Sequence, residues 1–361
     1  MTTHGRAPPG PPEDDELQLD GELVKISSDL PVIVGNPTGT KPVADARAPL
    51  PLGQGPKVGG YQLAGRFRSG PFALVFLAHR ASQMGIARPV VLKVAPRNSP
   101  HFLRNREMLV DEYHAMAMLD HSNIAAVYDA AEVDLGFYVA VEYVDGLDAQ
   151  VLLEGLAKSK RRMPIEVACY IVVELLRGLE HAHTARGTDG RPLGIVHRDV
   201  NPGNVLLSRG GNVKLTDFGV VKMRGRVAAE TQPGLIKGKP AYLPPEYIRG
   251  EHLDHRVDLY SAAVFLFELV TGTKCFRAEG AAIFSEVLGG MDTSRLAQAK
   301  VPEKLAAVIA RAADKDPKNR FGTAAEMGQA IESWLQINKY YVSASAVATL
   351  VQAFVAARDG R

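Results

Sequence analysis

The sequence predicts an α+β protein of two lobes: a small, antiparallel β-rich lobe with one key helix, followed by a larger and mainly helical lobe. Two observations support this fold class. Short segments with alternating apolar residues occupy residues 57–145, whereas long segments with an apolar residue every three or four positions dominate from Gly146 onwards. The 361 residues, 46% of them apolar, are sufficient to fill the cores of both lobes.

Composition and charge exclude several classes of protein. The formal net charge is only +2, so no global basic field attracts nucleic acid or an anionic membrane. The two cysteines, Cys169 and Cys275, lie far apart in apolar helical segments, which indicates buried thiols in a reducing cytoplasm rather than a disulfide or a zinc site. The apolar runs 259–270 and 346–357 are shorter than the ~18 to 20 residues of a membrane span. Since the N-terminus also lacks a signal-peptide pattern, we expect a cytoplasmic protein without a membrane span.

The segment 1–56 is predicted to be a disordered, Pro-rich leader. It holds ten of the 23 prolines, few aromatic residues and the acidic cluster EDDE. Such a composition cannot bury enough apolar surface to order the chain. The leader is one of two segments in which we look for the binding of a partner protein.

The small lobe, residues 57–145, is predicted to contain five strands and one helix. The segments YQLAGRF, ALVFLAHR and PVVLKVAP alternate as three antiparallel strands, and AAVYDAAEV and FYVAVEYV supply two more. Between these two groups, residues 101–119 have helical periodicity. Glu112 falls on the apolar face of that helix, so one carboxylate is expected to point at the core.

The larger lobe, residues 146–335, has EVACYIVVELLRGLEHAH and VDLYSAAVFLFELVTG as its clearest apolar helices. A C-terminal extension, residues 336–361, contains SASAVATLVQAFVAAR, which is predicted to be an amphipathic helix. We expect this helix to pack either on the domain or on a partner protein, so it is the second segment available to a partner.

A polar turn and a set of distant charged residues carry the chemistry. In HRDVNPGN, Asp199 is followed five residues later by Asn204, and Asp217 comes 13 residues after that in DFG. Two carboxylates and an amide oxygen can converge on metal ions and a phosphoryl group. With Lys93 at the end of the third strand and Glu112 on the helix, the set has the order and spacing of the protein-kinase signatures.

The sequence resembles the bacterial Hanks-type Ser/Thr protein kinases over about residues 60–335. The match extends to HSNI after the first helix, PPEY where the family has APE, Asp258 at the start of an apolar helix, and Arg320 in DPKNRF. The resemblance implies the bilobal protein-kinase fold and a Ser/Thr protein kinase that uses ATP and Mg²⁺ on a protein substrate. It also implies a buried ion pair between Glu246 and Arg320 that anchors the substrate platform.

The resemblance implies a role for each residue of the set. Lys93, oriented by Glu112, would hold the α- and β-phosphates. Asp217 would bind the Mg²⁺ that bridges the phosphates and Asn204 a second ion, because hard cations take oxygen ligands. Asp199 would orient the substrate hydroxyl and accept its proton. Around the adenine, the resemblance implies the gatekeeper Val141, the hinge residues Glu142 and Val144, and the ring-contacting Val75, Val91 and Leu206.

The phosphate-covering loop departs from the GxGxxG pattern of the family. Residues 68–73 read RSGPFA, so Gly70 is the one glycine kept among these aligned positions. Arg68 and Ala73 stiffen and crowd the loop, and Pro71 removes a backbone donor. The loop is the main argument for the alternative function, a pseudokinase that acts as a nucleotide-binding or scaffold module.

Two further departures concern residues that should touch. Asn201 stands where Ser/Thr kinases usually place the Lys that neutralises the γ-phosphate, and Lys239, in GKPAYLPPE, stands where the family usually has a Thr. We hypothesise an exchange in which Lys239 reaches toward Asp199 and the γ-phosphate and restores the missing cation. The alternative is that both positions drifted after catalysis was lost.

A regulatory pair and two other substrate classes complete the sequence-based interpretation. Thr231 is the only hydroxyl residue between Gly219 and Gly238, and its phosphorylated form is predicted to pair with Arg198. Small-molecule phosphotransferases of kinase-like fold share the Asp and Asn spacing, but they are not expected to keep the PPE segment and its Arg320 partner. Tyrosine specificity is disfavoured, because that branch usually supplies an Arg in the catalytic loop, and VNPGN has none.

Overall fold

The alternating segments of the small lobe form one antiparallel sheet. The structure is a computed structural model. It describes residues 17–19, 22–24, 30, 50, 54–67, 72–81, 87–218 and 239–358. In the described part of the leader, β1 (Leu17–Leu19) and β2 (Glu22–Val24) form a small separate hairpin. The small-lobe sheet is built of β3 (Lys57–Val58), β4 (Tyr61–Arg66), β5 (Leu74–Ala81), β6 (Ala87–Pro96), β7 (Val127–Val133) and β8 (Gly136–Glu142).

These six strands pair in the order β3-β4-β5-β6-β8-β7. The five strands predicted from the alternation are therefore confirmed, and the short β3 adds a sixth at the edge among the described residues. The face of the sheet that carries Leu92 buries an apolar cluster with Tyr61 and Phe76. Two leader residues, Leu30 and Leu50, pack against this cluster. Most of the leader lies outside the described residues, so its predicted disorder stays a prediction.

One helix, α1 (Phe102–Ala117), packs on the small-lobe sheet against β6, β7 and β8. It begins and ends within two residues of the bounds predicted from the apolar periodicity. Leu109 and Met116 are buried on its inner side. Glu112 lies on the same side and reaches a lysine of the sheet, as the periodicity predicts.

The larger lobe and the C-terminal extension are mainly helical, and their described residues form nine helices. They are α2 (Ala149–Lys158), α3 (Ile165–Thr184), α4 (Pro245–Ile248), α5 (Arg256–Thr271), α6 (Ala282–Gly289), α7 (Ser294–Gln298), α8 (Glu303–Ala312), α9 (Ala324–Ile337) and α10 (Ala344–Arg358). Every residue from 257 to 271 is buried, because α5 is apolar on all sides and lies at the centre of the lobe. Gly272 ends α5 in the left-handed conformation, with φ at 67°.

A second, three-stranded sheet lies in the larger lobe on the side of the hinge. It consists of β9 (Gly146–Asp148), β10 (Val205–Ser208) and β11 (Val213–Leu215) in the order β11-β10-β9. The hairpin of β10 and β11 follows the polar turn that the sequence singles out, and β9 follows the hinge directly. The sheet therefore joins the hinge to the turn that bears the charged residues.

The C-terminal helix α10 packs on its own domain, which is the first of the two alternatives stated above. Val347, Val351 and Val355 are at most 1% exposed, and the helix contacts α2, α3, β9 and β10. Phe354 lies so close to α2 that a Cβ atom on Gly155 would be 2.4 Å from its ring. The apolar stripe of α10 is thus covered by the domain itself.

Two predictions from composition can be compared directly with the structure. The apolar run 259–270 lies within the buried helix α5. None of the described helices is both long enough and apolar enough to traverse a bilayer. Cys169 and Cys275 are buried free thiols, as the sequence predicts.

Candidate active site

Lys93 lies on the face of the small-lobe sheet that is turned toward the larger lobe. It pairs with Val75 on β5 and with Val139 on β8. Its buried ammonium lies 2.5 Å from Glu112 Oε1 and also contacts Asp217 Oδ1. Burial alone lowers the pKa of Lys93, but the Asp217 and Glu112 carboxylates outweigh it and raise that pKa above its ordinary value. The lysine is therefore fully charged and links both lobes.

The apolar residues implied for the adenine pocket lie beside Lys93. Val91 is two residues from Lys93 on β6, hence on the same face, and it pairs with both Leu77 and Val141. Leu206 lies on β10 of the larger lobe, and Val144 lies in the hinge between the lobes. The implied pocket residues Val75, Val91, Val141, Val144 and Leu206 are all at most 6% exposed.

The hinge residue Glu142 has a structural role in addition to the backbone role implied for it. Its carboxylate accepts hydrogen bonds from Lys214 Nζ and from the backbone N–H of Ala126, each at 3.0 Å. Lys214 lies on β11, so this ion pair fastens the end of β8 to the larger lobe. No local sequence pattern indicates the contact between Lys214 and Glu142, which spans 72 positions.

The catalytic loop is organised by two asparagine side chains around Asp199. Asn204 Nδ2 donates to the backbone oxygen of Asp199 at 2.8 Å and to its Oδ2 at 3.2 Å. Asn201 Nδ2 donates to the same backbone oxygen at 2.9 Å, while its Oδ1 accepts from the N–H of Gly203 and caps the short 3₁₀ turn Pro202–Asn204. Both amide groups thus hold the backbone of Asp199, and Asn204 also contacts its carboxylate.

Asn201 is buried, at 5% exposure, and serves the loop rather than a phosphate. The sequence comparison with the family showed only which cation was missing at this position. The capping role has a sequence signal, because Asn before Pro-Gly is a strong former of side-chain-capped turns. The interpretation of Asn201 as a lost lysine is therefore incomplete.

Asp217 is held beside the catalytic loop by its neighbours in the chain. The N–H of Thr216 donates to the backbone oxygen of Asn204 at 3.0 Å, and Thr216 Oγ1 lies 3.1 Å from Asp217 Oδ1. Asp217 itself adopts a left-handed conformation, with φ at 62°, which is uncommon for a residue other than glycine and concentrates at functional sites. Lys93, Asp217, Asn204 and Asp199 consequently form one connected network.

The buried Asp258, on α5, fixes the backbone of the catalytic loop by hydrogen bonds. Its carboxylate accepts hydrogen bonds from the N–H groups of His197 at 2.8 Å and Arg198 at 2.7 Å, and His183 Nε2 lies 2.8 Å from Oδ2. Arg198 has a left-handed φ of 62°. The sequence places Asp258 at the start of an apolar helix but does not reveal these three partners, which lie 60, 61 and 75 positions away.

Lys239 lies at the end of the activation segment, and its side chain reaches α2. Its ammonium donates to Gln150 Oε1 at 2.8 Å. Burial and the neighbouring Lys274 lower the pKa of Lys239, and the charges of Asp148 and Asp199 act against this lowering. The structure therefore brings the lysine within the electrostatic field of Asp199, and its anchor is an amide on α2 that the sequence did not indicate.

Glu246 and Arg320 form the buried ion pair implied by the resemblance. Two parallel hydrogen bonds of 2.6 and 2.7 Å join them, and their side chains are 2% and 0% exposed. Arg320 Nε also donates to the backbone oxygen of Asp314 at 2.8 Å. The pair connects the segment after Lys239 to the turn before α9.

Two predicted site residues lie outside the described residues. They are Gly70 of the phosphate-covering loop and Thr231 of the activation segment. The proposed partner of Thr231, Arg198, is described, and burial lowers the pKa of its guanidinium. The pairing of Arg198 with a phosphorylated Thr231 stays a prediction.

Comparisons with known proteins agree with this geometry. Residues 61–333 match the family described as "Protein kinase domain". The tyrosine-protein kinase MasK of Myxococcus xanthus is 33% identical over 304 residues, which are 83% of this chain and 46% of MasK. The serine/threonine-protein kinase PksC of Streptomyces coelicolor is 34% identical over 276 residues, or 74% of this chain and 48% of PksC.

A third relative and a solved structure extend the comparison. The serine/threonine-protein kinase PknJ of Mycobacterium tuberculosis is 33% identical over 77% of this chain and 46% of PknJ, so the chain spans about half the length of these curated relatives. The crystal structure of the Mycobacterium tuberculosis PknI kinase domain has a TM-score of 0.55 and 25% identity, and the match covers 78% of this chain and 99% of PknI. The chain therefore belongs to the protein kinase family, on its bacterial Hanks-type branch.

Proposed function

We propose that this protein is a Ser/Thr protein kinase that transfers the γ-phosphoryl group of ATP to a hydroxyl group of a protein substrate. The observation that supports this function most is the connected network of Lys93, Glu112, Asp217, Asn204 and Asp199. A phosphoryl transferase needs these groups in one cleft, because its catalysis consists mainly of positioning and charge stabilisation.

The residues of the cleft fit a magnesium-bound nucleotide. Asn204 uses its amide nitrogen on Asp199, so its side-chain oxygen is the atom suited to a hard cation. Asp217 supplies a carboxylate oxygen. Two protein ligands are sufficient for Mg²⁺, which keeps waters and substrate phosphates in its remaining positions. When bound, Mg²⁺ would neutralise charge on the phosphates.

The protein side chains would orient the reactants and move the proton. Lys93 would hold the α- and β-phosphates once the nucleotide displaces its contact with Asp217. Asp199, fixed by Asn201 and Asn204, would orient the substrate hydroxyl and accept its proton. The apolar pocket around Val91 would hold the adenine.

Lys239 would supply the positive charge that the catalytic loop lacks. Asn201 is turned inward as a cap, so its position offers no charge to a phosphate. Lys239 is partly buried and lies within the field of Asp199. A desolvated cation near the γ-phosphate stabilises the charge that the transition state spreads over its oxygens.

Two further proposals concern regulation and location. Phosphorylation of Thr231 would add a charge that pairs with Arg198 and orders the activation segment. Mapping of phosphopeptides after incubation with ATP and Mg²⁺ tests this site. A cytoplasmic location fits the two buried free thiols, Cys169 and Cys275, which a reducing compartment maintains.

A pseudokinase is the second candidate function. It is favoured by the RSGPFA sequence of the phosphate-covering loop, which is poor in glycine and therefore hinders close backbone approach to phosphate. Such a protein would use the fold, with or without a nucleotide, to present a surface to a partner.

Transfer of label from radioactive ATP to a generic protein substrate, measured for the wild type and for Asp199→Asn, tests the proposal. We expect incorporation by the wild type and a loss of about 10²-fold or more in the variant. Identification of the phosphorylated amino acid distinguishes Ser or Thr from Tyr, the specificity named for the relative MasK. Equal labelling by both proteins would indicate a contaminating kinase. Nucleotide binding without any transfer would support the pseudokinase.

A further inference from the structure

Gln150, in the first turn of α2, holds the side chain of Lys239. Its Oε1 accepts a hydrogen bond from the Lys239 ammonium at 2.8 Å, and its Nε2 donates to Glu154 Oε1 at 2.8 Å one turn further along the helix. The second bond fixes the orientation of the amide, because only the oxygen is then free to face the lysine. The contact between Gln150 and Lys239 joins the activation segment to a helix 89 positions earlier.

The support of Gln150 is rigid. Asp148 caps α2 by accepting a hydrogen bond from the N–H of Val151 at 2.8 Å, and Asp148 is only 2% exposed. On its far side α2 packs against α10, where Gly155 faces Phe354. Helices supported at both ends hold a side chain more accurately than a loop does.

The chemical type of the anchor decides whether the charge of Lys239 is available. A partly buried ammonium needs an acceptor, since an unpaired one is costly. A carboxylate at position 150 would meet this need, but it would also cancel the charge through an ion pair. An amide oxygen accepts the hydrogen bond and leaves the net charge of the lysine in place.

Other charged groups face Lys239, but each is engaged elsewhere. Asp148 is occupied with the helix cap. Glu268, on α5, accepts hydrogen bonds from Tyr242 at 2.6 Å and from Lys274 at 3.2 Å. Asp199 lies in the catalytic loop and receives the side chain of Asn204. The hydrogen bond at 2.8 Å from Lys239 goes to the neutral Gln150.

We propose that Gln150 is a positioning residue for phosphoryl transfer: a neutral anchor on α2 that aims the Lys239 cation at the γ-phosphate without neutralising it. This inference rests on the proposed function of Lys239. It assigns to α2 a part of the cation-holding task that the resemblance places in the catalytic loop. Glu154 would act one step further away, by fixing the amide.

Two substitutions at one position separate this role from a merely structural one. Gln150→Leu removes the acceptor, and Gln150→Glu keeps an acceptor of the same shape but adds a negative charge. We expect kcat to fall about 10-fold or more in both variants, with KM for ATP little changed. The loss of one direct transition-state contact costs about 10²- to 10³-fold, and these variants weaken such a contact indirectly. Gln329→Glu, an exposed glutamine on α9, is the matched control and should keep the wild-type kcat.

A structural role predicts a different pattern. The isosteric Gln150→Glu would then keep the wild-type kcat, because an ion pair to Lys239 would hold the activation segment at least as well. That outcome would overturn the proposal. Urea denaturation of both variants establishes that each is folded when its kcat is measured.

A readout without catalysis separates the inference from the proposed kinase activity. In protein carrying ¹³C at the lysine Cε atoms, NMR titration reports the pKa of Lys239, with its resonance assigned by Lys239→Arg. We expect Gln150→Glu to raise this pKa and Gln150→Leu to lower it. If the pKa of Lys239 in both variants equals that of the wild type, Gln150 does not anchor Lys239, and the proposal fails even if the protein is an active kinase. The expected shifts in a protein that transfers no phosphate would refute the proposed function and leave the anchor standing.

Discussion

Asp258 Oδ1 accepts a hydrogen bond from the backbone N–H of Arg198 at 2.7 Å, although the two residues lie 60 positions apart in the chain. The other carboxylate oxygen accepts from His197. We expect Asp258→Ala to lower the free energy of unfolding by about 3–5 kcal/mol, because it removes a buried charge from its partners and leaves two backbone donors without an acceptor. Urea denaturation followed by circular dichroism measures this loss. A change below about 1 kcal/mol would show that the carboxylate does not support the loop.

The same carboxylate makes stability depend on pH in a defined direction. Burial alone raises the pKa of Asp258, but the hydrogen bond and charge of His183, with His197 and the Arg198 amide, lower it below its ordinary value. Asp258 therefore contributes stability above its unfolded pKa of about 3.9, and this contribution is lost as the pH falls through its lower, folded pKa. Between pH 7 and pH 4, the difference in urea midpoint between the wild type and Asp258→Asn should therefore be nearly constant, and the wild type should lose its advantage below pH 4. An equal difference between the two proteins at all pH values would contradict this assignment.

Lys93 should be indispensable for phosphoryl transfer. We expect Lys93→Met to reduce transfer by about 10²-fold or more, because it removes a cation from the phosphates. It also leaves the carboxylates of Glu112 and Asp217 facing one another without a counterion. The assay with radioactive ATP gives the transfer rate, and Lys57→Met, an exposed lysine on β3, is the matched control. Equal rates in the two variants would remove Lys93 from the site.

The exchange of Asn201 and Lys239 can be tested by reversing it. We expect Lys239→Ala to reduce transfer by about 10²- to 10³-fold with little change in folding, because it removes a transition-state cation. The double variant Asn201→Lys/Lys239→Thr restores the arrangement usual in the family and should recover part of the lost rate. The initial rate of label transfer is measured for all three proteins. Unchanged transfer by Lys239→Ala would eliminate the exchange.

Removing one partner of the Glu246–Arg320 ion pair should destabilise the protein more than replacing both partners by apolar residues. We expect Arg320→Ala to lower the free energy of unfolding by about 3–5 kcal/mol, since it leaves a buried carboxylate without its partner. The double variant Glu246→Leu/Arg320→Met removes both charges and should regain most of this loss. Chemical denaturation compares them with Arg191→Ala, which breaks an exposed pair and should change nothing measurable. A double variant as unstable as Arg320→Ala would argue against this account.

Much of the fold and of the site could be predicted from the sequence, because the relevant signals are local. Alternating apolar residues placed the strands, and the apolar periodicity of residues 101–119 placed Glu112 on the inner side of α1. The motif spacing identified Asp199, Asn204 and Asp217, which lie within 18 positions of one another and are connected through short loops. Lys93 could be predicted as well, because it lies in an alternating strand that pairs with both neighbours without a register shift.

The remainder depends on contacts that no local pattern encodes. The anchoring of Lys239 by Gln150 spans 89 positions, and the fastening of Glu142 by Lys214 spans 72. Neither side chain stands out by residue type, so only the packing of α2 and β11 reveals them. The capping role of Asn201 was missed for another reason. Comparison with the family points to the charge that this position lacks and not to the turn that Asn201 caps.

The family match ends at residue 333, whereas the packed structure continues through α10 to residue 358. Shortening the protein at the end of the matched region would remove α10 with its valine stripe of residues 347, 351 and 355 and uncover the side of α2 that this helix contacts. Proteolysis between α9 and α10 would therefore loosen the helix that carries Gln150 without touching any residue of the cleft. The helix that carries Gln150 is thus supported by a segment that lies beyond the region matched by the kinase family.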